Sequence, residues 1–157
     1  MTQFQLKIFL KAAYEIILVF LQFSIISLHF FQLEFLPQKQ IIKASIFSYF
    51  LGTLIIIIAF IIMLVSIKDL GRNLSPFPRP INNSNLVTTG IYRFTRHPMY
   101  YSLIFISIGV FILKLSIYYL FLTISLALII KFKIALEEKY LMNKFKNYLF
   151  YKNEVKV

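Results

Sequence analysis

The sequence predicts an all-α integral membrane protein with about four transmembrane helices, a C-terminal helical hairpin and a cytoplasmic amphipathic tail helix. Three observations predict it. Hydrophobic residues make up 59% of the 157, against roughly 45–50% apolar in a soluble domain. They gather into runs near the length of about 20 residues that a helix needs to cross hydrocarbon. The basic residues behind the net charge of +11 flank those runs. That placement suits anionic headgroups and membrane topology, and argues against a nucleic-acid partner. The chain reads as one membrane unit over 1–157.

The first span is expected over 12–33. Lys7 and Lys11 precede it like the charged start of a signal peptide. No small-residue cleavage site follows "FSIISLHFFQLEF", so a retained helix is expected. Glu15 and His29 fall near the ends of this span, and interfacial exposure is the expectation for both. The second span, 44–67, contains "LIIIIAFIIMLV". Its β-branched residues would suit a strand in water, but an isolated strand cannot satisfy its backbone in lipid.

Residues 68–98 change character. They hold Pro76, Pro78, Pro80 and Pro98, with "NNSN" between. This is loop chemistry, and a loop of about 30 residues exceeds what a connection needs. The third and fourth spans, 99–113 and 115–136, are separated by Lys114 and form a tight hairpin with Lys114 snorkelling at its tip. A tail over 137–157 completes the chain. With four spans, 14 Lys and Arg share the side of the loop and both termini, and Lys39, Lys43 and Lys114 lie on the other. The positive-inside bias places the loop and tail in the cytoplasm.

There is no Cys, which excludes disulfides and thiolate metal sites. No metal-ligand spacing, phosphate loop or nucleophile elbow is present. The polar chemistry sits in two clusters. In "GIYRFTRHPMY", Pro98 suits the first turn of a helix. His97 then stands at a helix entrance that favours an anionic group, with Arg93 and Arg96 as charged donors. Interfacial anchoring explains the same residues equally well. In "KIALEEKYLMNKFKNYLFY", Glu137, Leu141, Phe145 and Tyr148 share a helix face, with Lys133 one turn before Glu137. An interfacial amphipathic helix with an i,i+4 ion pair accounts for that cluster alone. Antiparallel neighbours bring Arg96–Tyr100 beside Lys133–Glu138, where a water-soluble cofactor would meet a lipid-soluble substrate.

"LVTTGIYRFTRHPMYYS" followed by "EEKYLMNKFKNYLFY" resembles the isoprenylcysteine carboxyl methyltransferase family, and is similar to the related phospholipid N-methyltransferases. The resemblance covers roughly 71–155. It implies S-adenosylmethionine as cofactor, bound by Leu86, Val87, Tyr92, His97, Pro98, Met99, Tyr100 and Glu137. It also implies Lys133 as the substrate contact, where the family usually has Arg. Arg96, His97 and Glu138 are the candidate catalytic groups on chemical grounds: Arg96 or Lys133 would orient a carboxylate acceptor, and His97, Glu138 or Glu137 would accept the proton of an amine. Phe94, Ser102 and Lys146 depart from the pattern, standing where it has Trp, Gly and Gly. The implied activity is methyl transfer to a membrane-embedded substrate, foremost carboxyl O-methylation of an isoprenylcysteine-like acid. Phospholipid N-methylation is the alternative. A non-enzymatic lipid-binding helix bundle and a reductase-like relative of the same core are the competing classes. The partners are the bilayer and a lipid or lipidated substrate.

Overall fold

Each helix begins and ends where local chemistry dictates. The computed structural model describes residues 2–31, 40–41 and 43–155. Helix α1, Gln3–Phe30, starts at Thr2, whose side chain accepts from the Gln5 amide in a capping box. It therefore begins well before residue 12, and the expected end of the first span at 32–33 lies outside the described residues. Helix α2, Ile46–Leu70, starts with a Ser45–Ser48 capping box and stops at Gly71. Helix α3, Pro98–Lys114, has Pro98 in its first turn and ends on Leu115 in the left-handed conformation. Ser116 then caps helix α4, Ile117–Lys144. The helix runs on past 136, so the tail is first a continuation of α4 and then a separate short helix α5, Tyr148–Glu154.

The elements among the described residues are all helical, including two 3-10 turns at Gly71–Asn73 and Gly90–Arg93. Among the described residues, three helices are long and apolar enough to cross a membrane: α1, α2 with the turn that extends it, and α4. Helix α3 is a shorter apolar helix. Phe20, Phe23, Phe50, Phe60 and Ile61 are all exposed. Such an apolar surface is untenable in water and ordinary against lipid.

The interior is correspondingly polar. Ser66, Ser102 and Thr123 are buried and bond the carbonyls of Ile62, Pro98 and Tyr119 one turn back, at 2.6, 2.9 and 2.8 Å. Helix α3 packs chiefly along α2 and forms the expected hairpin with α4, which also lies along α1. At the α2–α3 crossing a Cβ on Gly52 would lie 2.8 Å from the Gly109 carbonyl oxygen, so only glycine allows the backbones to meet. The α3–α4 turn meets the α1–α2 connection through Ile41 N–H donating to the Leu115 carbonyl at 2.8 Å. The long loop, the entrance of α3 and the end of α4 gather at the other end of the molecule.

Candidate functional site

The long loop is held by its neighbours. Asp69, in the last turn of α2, accepts from the Ile91 amide at 2.8 Å. Gly90, at φ +62°, passes so close to this carboxylate that a Cβ would overlap it. The contact fixes the turn that presents Tyr92. Earlier in the loop, Asn73 Oδ1 accepts from the Asn85 amide at 3.1 Å. Lys144 of α4 donates to the Ile81 and Asn82 carbonyls and to Ser84 Oγ.

The entrance of α3 is locked to α4 by one carboxylate. Arg96 Nε and Nη2 both reach Glu138 Oε1 at 2.9 Å. His97 Nε2 donates to the same oxygen at 3.4 Å. Lys152 Nζ donates to Oε2 at 2.7 Å. Arg96 Nη1 also donates to the carbonyls of Lys152 and Val155. One buried guanidinium therefore ties α3, α4 and α5 together. Helix α5 docks further through Tyr151, whose hydroxyl donates to the Tyr92 carbonyl at 2.6 Å.

Between loop, α3, α4 and α5 lies a cleft. Its wall includes Leu86, Val87, Tyr92, Arg96, His97, Met99, Tyr100 and Glu137. Its narrow interior is about 80 Å³, and the space out to its open mouth is about 760 Å³. Tyr148 also lines the cleft, is 0% exposed, and its hydroxyl has no partner among the described residues. Buried hydroxyls without a partner are rare in folded proteins. Burial and the Glu137 charge push the Tyr92 phenol well above its ordinary range. Burial pushes Tyr151 up to about 12. Both stay neutral hydroxyl donors at any physiological pH.

The residues singled out in the sequence divide into groups. Leu86, Val87, Tyr92, His97, Met99, Tyr100, Arg96 and Glu137 share the cleft wall. Pro98 is buried on the opposite side of α3, in an apolar groove with Ile62, Ile91 and Thr95. Glu138 is outside the wall, in the ion network. Successive helix residues point about 100° apart, so Glu137 and Glu138 face different surroundings. The carboxylate paired with Arg96 and His97 across the hairpin is Glu138. Lys133 is 1% exposed and also outside the wall. Instead of pairing with Glu137 it donates to Gln22 Oε1 and to the Pro76 carbonyl, with the Tyr100 ring centroid 5.3 Å from Nζ.

Glu15 corrects the expectation of interfacial exposure. It is buried, takes a 3.0 Å bond from Arg79, and accepts from the Tyr140 hydroxyl. His29 is half-buried: Nδ1 donates to the Ile25 carbonyl at 2.8 Å, and Nε2 accepts from Ser107 Oγ at 2.7 Å. Sequence reasoning missed Gln22, Arg79 and the cleft-facing role of Tyr148. The signal for Gln22 was present: Glu15, Gln22 and His29 stand seven residues apart on one helix, two turns per step.

A family model described as phospholipid methyltransferase matches residues 47–148. No curated protein and no solved structure matches the chain. The matched stretch covers most of the chain and includes α2, the loop, α3 and α4. The chain belongs to the phospholipid methyltransferase family.

Proposed function

We propose that this member of the phospholipid methyltransferase family transfers a methyl group from S-adenosylmethionine to the amine of a membrane-embedded, phospholipid-type acceptor. The residues present fit the cofactor. A molecule with a carboxylate, an amine, a sulfonium and an adenine ring needs donors, acceptors and aromatic faces in one cleft. His97 at the α3 entrance, Glu137, Tyr92, Tyr100 and the unpartnered Tyr148 hydroxyl supply them. Leu86 and Val87 add apolar wall. Bound there, S-adenosylmethionine supplies an electrophilic methyl on a good leaving group, so the protein's part is chiefly positioning and exclusion of water.

One observation carries the choice of acceptor. The basic groups beside the cleft are engaged within the protein: Arg96 with Glu138, Arg79 with Glu15, Lys133 with Gln22 and Pro76. Glu137 meanwhile turns to the cleft. A carboxylate acceptor needs a cation to orient it. An amine acceptor must instead lose a proton, and an acidic side chain in the cleft serves that need. Glu137 would take the amine proton and so free the nitrogen lone pair for the methyl group that S-adenosylmethionine would supply when bound. Arg96 and Glu138 position His97 and the cleft wall. The bias of 14 basic residues to 3 supports a reading with the cleft and both termini on the cytoplasmic side.

The test is transfer of labelled methyl from S-adenosylmethionine by the purified protein in bilayer discs. Label is expected in phosphatidylethanolamine as a base-stable product, and Glu137→Gln is expected to cut the rate by about 10²-fold or more, the scale of a lost proton acceptor. A base-labile methyl ester on a prenylcysteine analogue would return the acceptor to a carboxylic acid. Absence of any cofactor binding would sink the methyltransferase reading.

A further inference from the structure

Helix α1 lies outside the stretch that defines the family, which begins at residue 47. It nevertheless contributes two buried polar side chains to the surroundings of the cleft. Glu15, Leu18 and Gln22 are the buried residues of α1 and share one face. Glu15 and Gln22 each engage a group that acts on the cleft's loop wall.

Lys133 shows why Gln22 matters. A buried ammonium has three donors to satisfy and a high desolvation cost. Among the described residues no carboxylate pairs with it. It has Gln22 Oε1, the Pro76 carbonyl at 2.9 Å and the face of Tyr100. Gln22 thus holds the ammonium at the one place where it grips both the loop and Tyr100. Three residues on, Arg79 Nη2 meets Glu15, whose carboxylate also takes the Tyr140 hydroxyl. The stretch between, with Phe77 and the fully buried Pro78, forms part of the cleft wall.

We infer that Glu15 and Gln22 are positioning residues. They set the 76–79 wall of the cleft, Glu15 through Arg79 and Gln22 through Lys133. Neither belongs to the cleft lining, so each acts through its partner. A narrow cleft needs its wall held in one place, and two anchors on a membrane-spanning helix provide that. The consequence for affinity rests on the function proposed above; the bracing itself does not.

The experiment is hydrogen exchange on the full chain in bilayer discs, paired with steady-state kinetics. Gln22→Leu and Glu15→Gln are each expected to speed exchange over 74–81 by about tenfold, the scale of a lost hydrogen bond to a charged group. Amides of α2 and α3 stay as they were. The KM for S-adenosylmethionine rises by a similar factor, with kcat within about threefold, the pattern of lost binding rather than lost chemistry. Arg79→Gln breaks the Glu15 contact from its half-exposed side, should Glu15→Gln fail to fold. The Glu15→Gln/Arg79→Gln pair is expected to be no worse than the larger single change, because the two act as one unit. Unchanged exchange over 74–81 would overturn the inference, as would a rise spread over α2 and α3. A wild type that transfers no methyl would fell the proposed function, while the exchange result would still judge the bracing.

Discussion

Between α2 and α3, Gly52 and Gly109 bring two backbones into contact, and among the described residues no side-chain hydrogen bond crosses that seam. Along α1 the opposite holds. Glu15, Gln22 and His29 each reach another part of the molecule through a polar bond. In lipid, apolar contact with a neighbouring helix is little better than apolar contact with the bilayer. Helices therefore stay together by close approach or by polar bonds. This molecule uses close approach where two helices need only remain packed. It uses polar bonds along α1, and two of the three, from Glu15 and Gln22, reach groups at the cleft's loop.

The hardest blow to the polar side is Glu138→Ala. It leaves Arg96 and His97 buried without their shared carboxylate. Removing one partner of a buried pair costs about 3–5 kcal/mol. A large drop in melting temperature is expected, with new protease cleavage in 145–155 as α5 comes loose. If α5 stays protected, the network is not what docks it.

The matching blow to the dry side is Gly109→Ala. The new Cβ would sit 2.5 Å from Ile56 Cγ1 and 2.9 Å from the Gly52 carbonyl oxygen. Overpacking of this kind costs about 1–3 kcal/mol. Melting temperature is expected to fall while 145–155 stays protected and the KM for S-adenosylmethionine holds. A rise in KM would mean that the two seams are not independent.

The difference between the seams also sorts what was legible in the sequence. Hydropathy alone marks the spans, because a 20-residue apolar run has one stable form in lipid. Pro98 marks the α3 entrance because its ring fits only a first turn. The antiparallel hairpin follows from Lys114, and it brings Arg96 near Glu138. The rest depended on side-chain direction and long-range partners. Glu137 and Glu138 are neighbours in sequence, and only the rotation of α4 decides which meets Arg96. The burial of Glu15 was hidden because its partners, Arg79 and Tyr140, stand 64 and 125 residues away. Gln22 carries no charge and so drew no notice in an apolar run.

A subtler change tests the cleft without disturbing either seam. Tyr148→Phe removes a buried hydroxyl that has no partner among the described residues. Stability is expected to hold within about 0.5 kcal/mol or to improve, since no bond is lost and a desolvation cost is relieved. Affinity for S-adenosylmethionine, read by calorimetry, falls several-fold. Unchanged affinity would mean that this hydroxyl does not meet the cofactor.

The smallest effect is expected where the polar ladder of α1 reaches α3. Ser107→Ala removes the donor to His29 Nε2 and the contact with Thr123 Oγ1 at 2.8 Å. Thr123 keeps bonds to the Ser107 and Tyr119 carbonyls, so it is not stranded. Interhelical side-chain hydrogen bonds in membranes average about 0.6 kcal/mol. A loss of that size in unfolding free energy is expected, with exchange over 74–81 unaltered, because this rung lies away from the loop. Were Ser107→Ala to loosen the loop as Gln22→Leu does, α1 would be acting as one rigid lever and not as a set of separate anchors.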